Sequence, residues 1–210
     1  MYEPRSFVED RIDVLHDMVR QHSLGTMVAM TNGGLNVDHL PFLVGAGGPF
    51  GVLRSHVARA NHVWHAKHLA DAVIVFQGPQ RYITPSWYAT KAETGKVVPT
   101  WNYVVVHAHG PLRFIEDPQW LRDHVNELTN VHEASRPTPW KVSDAPDDYV
   151  DGLLGAIVGV EMVVARLDGK WKLGQNRPER DRTGMIDGLR RENRESDAEL
   201  AALIERTRIP

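Results

Sequence analysis

The sequence predicts a mainly β domain, an antiparallel β-barrel or α+β fold, from three observations. Six or more short apolar or β-branched runs are separated by Gly, Pro and Asn-Gly turns. Helical periodicity is confined to the beginning, the middle and the end of the chain. Strand and helix do not alternate regularly, which argues against a Rossmann or TIM architecture. At 210 residues the chain is sized for one domain, with at most a small appendage.

The elements follow in order. Ser6 and Glu9 have the spacing of a capping box, and Val8, Ile12, Leu15 and Val19 then predict an amphipathic helix over about 7–22. Residues 24–31 are a buried strand, Asn32-Gly33-Gly34 a tight turn, and 35–44 the return strand, with Pro41 at an edge or bulge. A third strand runs from Phe50 to Arg54. Ser55 then caps a helix through SHVARANHVWHAKH. Residues 72–77 form a strand ending at Gly78-Pro79, and Arg81 to Tyr88 a strand running into a loop at Pro85. Residues 97–115 are two strands or one bent strand around Gly110-Pro111. Asp117-Pro118 starts a helix that runs to about Glu133. After a Pro-rich loop, 147–155 is helical, and Ile157 to Leu167 is a strand that Asp168-Gly169 turns into Lys170–Leu173. Two short helices close the chain at about 183–193 and 197–206, the second capped by Ser196 with Glu199.

Composition narrows the chemistry. There is no Cys, so disulfides, zinc ribbons and thiolate catalysis are excluded. The net charge of −3 gives no general attraction to DNA or an anionic membrane. No apolar run approaches the ~20 residues that span a bilayer, and the charged N-terminus lacks a signal-peptide core, so a cytoplasmic protein is expected. The 11 His and 6 Trp are high for this length and suit metals, haem, flat cofactors or phosphates.

Several constellations compete for that chemistry. A helix starting at Ser55, flanked by Arg54 and Arg59, would offer free N–H groups and guanidinium groups to a phosphate. His62, His65 and His68 spread over about 240° of a helix, so they do not converge on one ion and no metal site is assigned. His107 and His109 share a strand face. Two Pro–aromatic segments, Gly78 to Tyr88 and Pro99 to Tyr103, suit a pocket for a planar ligand or a subunit interface. Gly169 to Arg177 is a polar loop with two lysines. No G-x-S-x-G, P-loop or G-x-G-x-x-G is present, and no residue is assigned as a general acid or base.

Taken in order, MYEPRSF, HLPF (His39–Phe42), SHVARANHVW (Ser55–Trp64), GPQRYITPSWY (Gly78–Tyr88), VPTWNYVVVHAHG (Val98–Gly110), AIVGVE (Ala156–Glu161) and GKWKLGQNR (Gly169–Arg177) resemble the PaiB-type family of FMN-binding negative transcriptional regulators. The resemblance covers nearly the whole chain. It implies an antiparallel Greek-key split β-barrel that forms homodimers, with flavin sites at the dimer interface, a bacterial origin and a role in gene repression. Gly174 departs from it, since a Ser is expected in the K-L-S-Q-N pattern.

Under this resemblance Arg54, Ser55, His56, Arg59 and Asn61 are expected at the FMN phosphate, with His39 and Pro41 on the strand passing the ring. Trp101, Asn102 and Tyr103 are expected from the second subunit, and Lys172, Gln175 and Asn176 to close the site. The expected division is a flavin-binding barrel over 1–176 and a helical extension over 177–210. Flavin-dependent reduction or oxidation of an unknown small molecule is the leading expectation. A non-catalytic regulator and a haem protein using His56, His62, His107 or His109 are the alternatives. Neither charge nor motif supports direct DNA binding.

Overall fold

A computed structural model of the chain describes residues 1–207. In chain order its elements are β1 (Val8–Glu9), α1 (Ile12–Gln21), β2 (Leu24–Thr31), β3 (Gly34–Pro41), β4 (Leu43–Gly45), β5 (Val52–Ala58), β6 (Ala72–Ile83), α2 (Ala89–Thr94), β7 (Thr100–Gly110), β8 (Leu112–Ile115), α3 (Pro118–Glu133), α4 (Asp147–Leu154), β9 (Ile157–Val163), β10 (Arg166–Lys172), α5 (Glu179–Glu192) and α6 (Asp197–Arg206). Single 3-10 turns sit at Arg5–Phe7, His62–Trp64, Pro85–Trp87 and Val142–Asp144. The chain divides into two compact units. One comprises 1–21, 77–107 and 168–210, the other 22–76 and 108–167.

In the first unit β1 pairs antiparallel with β10, Val8 opposite Lys170 and Glu9 opposite Gly169, and β10 neighbours β7. The core is built from Leu15, Met18, Ile83, Val104, Leu173, Met185, Leu189, Leu200 and Ile204, all buried. Close packing dictates the glycines of α5. A Cβ on Gly184 would overlap the carbonyl of Trp87, and one on Gly188 the Trp87 ring.

In the second unit β2 and β3 pair along their whole length, from Leu24 opposite Pro41 to Thr31 opposite Gly34. Gly34 takes φ +107° at the turn, where the Thr31 hydroxyl donates to its carbonyl at 3.0 Å. β4, β5, β9 and β8 form a four-stranded antiparallel sheet in that order. Phe42 meets Phe76 edge-on at 5.7 Å, and Gly25 leaves room for both rings. Leu121, Val142, Val150 and Leu154 form a smaller core under α3 and α4.

Several local expectations change. The helix expected from residue 7 begins at Ile12, because Arg5–Phe7 is a 3-10 turn and Val8–Glu9 joins β10. Glu9 does not close a capping box; it accepts hydrogen bonds from the backbone and guanidinium of Arg11. The strand expected over 35–44 breaks at Phe42 into β3 and β4.

The helix expected to start at Ser55 is absent. β5 continues to Ala58 with Ser55 opposite Val160, so its backbone groups belong to the sheet ladder. β6 runs through Gly78-Pro79; β2 pairs with it only through Val73–Val75, so the missing N–H of Pro79 costs no bond to β2. Asp168-Gly169 lies inside β10, and the turn falls earlier, at Val164-Ala165. A Cβ on Gly169 would meet Leu15 and the carbonyl of Glu9, so this glycine serves close approach instead of a turn. Ser196 precedes α6 with φ +68° and makes no side-chain cap; the Asp197 carboxylate accepts from Arg194 N instead.

Candidate cofactor-binding site

The sequence-predicted residues fall into two groups, one in each unit. In the second unit β5 alternation puts Arg54 and His56 on one face and Ser55 on the other. Ser55 is fully buried and donates to the Pro41 carbonyl at 2.7 Å, which ties β5 to the end of β3. Arg54 pairs with Glu127 of α3 at 2.9 Å.

Arg59 donates to the Gly155 carbonyl at 2.8 Å, the Ile157 carbonyl at 3.2 Å and the Glu116 carboxylate at 2.6 Å, with Trp64 over its guanidinium. Asn61 caps the His62–Trp64 turn by accepting from Val63 N, and donates to Asp38 at 2.8 Å. His39 is exposed on β3 opposite Thr26. Arg54 and His56 are therefore brought together against α3, while Ser55, Arg59 and Asn61 each hold a separate part of the chain. A helix N-terminus contributes nothing here.

His56 leads to a residue that sequence reasoning missed. Its Nδ1 lies 3.2 Å from Nε2 of His124 on α3, and the Trp120 indole stacks on His124 with ring centroids 5.2 Å apart. His124 is 1% exposed. Burial, then the charges of His56 and Arg54, push its pKa down to about 4. Burial also lowers His56. The signal was available: His124 follows Leu121 by three residues and so shares the apolar face of α3. His62 and His65 lie 6.3 Å apart, and His68 is bonded to the Val63 carbonyl, around a 3-10 turn where a longer helix was expected.

In the first unit a lysine–aromatic face forms on β10 and β7. Lys170 and Lys172 both approach the ring of Tyr103, at 5.5 and 5.8 Å from its centroid. Lys170 is buried, donates to the Tyr2 carbonyl at 2.8 Å and lies 5.7 Å from the Tyr2 ring. Lys172 donates to the Thr100 hydroxyl at 2.7 Å. Neither ammonium has a carboxylate partner among the described residues. Trp101 shares the Tyr103 face by alternation and meets Tyr82 edge-on at 6.2 Å, both rings substantially exposed.

The remaining candidates of this unit lie elsewhere. Asn102 points to the opposite, buried side, with its amide 3.6 Å from the Met185 sulfur. Gln175 is buried and braces its own turn, accepting from Leu173 N and donating to the Trp171 carbonyl. Asn176 is exposed. Gly174 takes φ +80°, and a Cβ there would lie 2.6 Å from the Met185 methyl, so the backbone accounts for glycine at the position where the resemblance leads one to expect Ser. Tyr2 could not be found from sequence, since it meets Lys170 from 168 residues away.

Residues 1–166 match the family model described as "Putative FMN-binding domain". The chain belongs to this family. A protein of Emericella nidulans is 34% identical over 94% of this chain and 93% of its own length. The Bacillus subtilis protein named protease synthase and sporulation protein PAI 2 is 29% identical, covering 98% of this chain and 97% of its own, which places the chain in the PaiB-type group of the FMN-binding family. The fold of the chain is mainly antiparallel β with flanking helices, of the split-barrel class. The solved FAD and heme binding protein of Mycobacterium smegmatis shares it, with a TM-score of 0.56 at 13% identity over 79% of this chain and 73% of that one. Among the described residues no helix is long and apolar enough to cross a membrane.

Proposed function

We propose that the protein binds FMN and acts as a flavin-dependent reductase or oxidase of a small molecule. The observation that carries this reading is the Lys170–Tyr103–Lys172 face. It joins two ammonium groups without carboxylate partners among the described residues, the Thr100 hydroxyl and the exposed Trp101 and Tyr82 rings, a donor set suited to a planar anionic cofactor. A bound flavin supplies the electron transfer, and the residues of the chain bind and orient it. Arg54 and His56 are the members of the phosphate set that share a face. FMN is preferred over haem because two of the candidate haem ligands are engaged within the chain, His56 with His124 and His109 with the Arg166 guanidinium.

A homodimer is part of the proposal. The outer face of the β2–β3 hairpin sets Met30 opposite Leu35, Val28 opposite Val37 and Leu24 opposite Pro41. Leu24, Met30, Leu35 and Val37 are 41–65% exposed, an apolar face of the kind that subunits cover. The proposed domain division keeps the barrel over 1–176 and a helical extension over 177–210. Direct DNA binding is less favoured, because three arginines of that extension are paired with carboxylates: Arg190 with Glu205, Arg194 with Glu192 and Arg180 with Glu93. Titration of the purified protein with FMN tests the cofactor assignment. Saturable quenching of flavin fluorescence is expected, and its absence at tens of micromolar would overturn it.

A further inference from the structure

In the unit formed by 1–21, 77–107 and 168–210, a cleft of about 880 Å³ opens beside α1 and α6. Met18, Pro79, Val104 and Trp171, all buried, make its floor, and Val14 and Leu203 line its walls. That volume lies within the ~300–1,000 Å³ typical of small-molecule sites. Trp171 lies between Lys170 and Lys172 in β10, so alternation puts the cleft on the side of the strand away from the lysine–aromatic face.

The rim carries both signs of charge, and their pairing determines what it attracts. Glu9 is held by the Arg11 guanidinium through two bonds, of 2.8 and 2.6 Å. Partial burial opposes its ionisation, but the hydrogen bonds and charge of Arg11 keep the carboxyl below its ordinary value. Asp17 is paired with Arg20, and Glu199 is engaged as well. Arg5 and Arg206 line the same rim with no ion pair among the described residues. Two guanidinium groups without acidic partners among the described residues thus stand over an apolar floor.

We propose that this cleft is a second ligand site, separate from the flavin face, and that it takes an amphipathic monoanion: a carboxylate at Arg5 and Arg206 with an extended apolar body along Met18, Val104 and Trp171. Gln175, which the family resemblance places with the flavin, also lines this cleft, so the test must separate the two ligands.

Decanoate is the probe, titrated calorimetrically into the full-length protein, with FMN affinity measured on the same samples. Saturable decanoate binding is expected, with decanol, the uncharged analogue, at least about tenfold weaker. The double variant Arg5→Gln/Arg206→Gln is expected to lose about tenfold in decanoate affinity at unchanged FMN affinity. Leu203→Trp, which fills the cleft from a partly exposed wall, is expected to abolish decanoate binding while the melting transition stays cooperative. No binding to the wild-type protein, equal affinity for decanoate and decanol, or displacement of decanoate by FMN would each overturn the proposal. Decanoate binding in a protein that fails to bind FMN would leave this site standing and remove the flavin reading.

Discussion

His124 shows how one side chain couples the fold to pH. It is buried against His56 and Trp120, and its pKa of about 4 compares with an ordinary 6.5. The unfolded chain takes up a proton near 6.5 and the folded imidazole only near 4, so folding stability is full above 6.5 and falls as pH drops through that window. The full loss is on the order of 3 kcal/mol. Urea midpoints measured from pH 7 to pH 4.5 are expected to fall. His124→Gln, less stable at pH 7, is expected to show a shallower fall; an unchanged slope would mean that other groups carry the effect. Arg59 makes a second residue-scale case. Its carbonyl, carboxylate and indole contacts tie the end of β5 to the chain around Gly155 and Ile157. Arg59→Ala is expected to cost about 1–3 kcal/mol in a thermal or urea melt. Arg59→Lys recovers only part of this, because an ammonium cannot reproduce the planar fork.

At the scale of elements, α5 shows packing that tolerates no added volume. Gly184 and Gly188 let the helix close on Trp87, and Gly184 faces a backbone carbonyl that cannot rotate away. Gly184→Ala is expected to destabilise by about 1–3 kcal/mol despite the better helix propensity of alanine, as read from the urea midpoint. A neutral or stabilising result would contradict this packing. Where an element is set by its own neighbours, the sequence is legible: Asp117 accepts from Trp120 N, Pro118 follows it, and α3 runs from Pro118 to Glu133 as read from those residues.

Where distant chain segments decide, legibility ends. Ser55 has the chemistry of an N-cap, but Leu53, Ser55 and Val57 are buried while Arg54 and His56 are only partly so. The period is therefore that of a strand, and the Ser55 hydroxyl is satisfied by Pro41. Asp168-Gly169 resembles a turn, yet Gly169 exists for the approach of Leu15 and Glu9. Of the candidate site, Lys172, Trp101 and Tyr103 were legible from the resemblance. Tyr2 was not, because only the folded chain brings it to Lys170, and for His124 the sequence carries its place on the apolar face of α3 but not its partner His56.

At the scale of the whole molecule, family membership and fold point to a flavin, and two faces give that reading physical content. The apolar β2–β3 face belongs to the proposed dimer. Leu35→Lys combined with Val37→Lys is expected to convert a dimer to a monomer in light scattering coupled to size exclusion, with little loss of fold, since both residues are exposed on an edge strand. A wild-type monomer, or an unaltered dimer in the variant, would place the interface elsewhere. The lysine–aromatic face bears the cofactor assignment. Its central test is the FMN dissociation constant of wild-type protein against Lys172→Met, which removes an ammonium while keeping the apolar stem. Saturable wild-type binding, weakened at least about tenfold in the variant, is the predicted result; equal affinity in the two proteins, or no FMN binding by either, would contradict it.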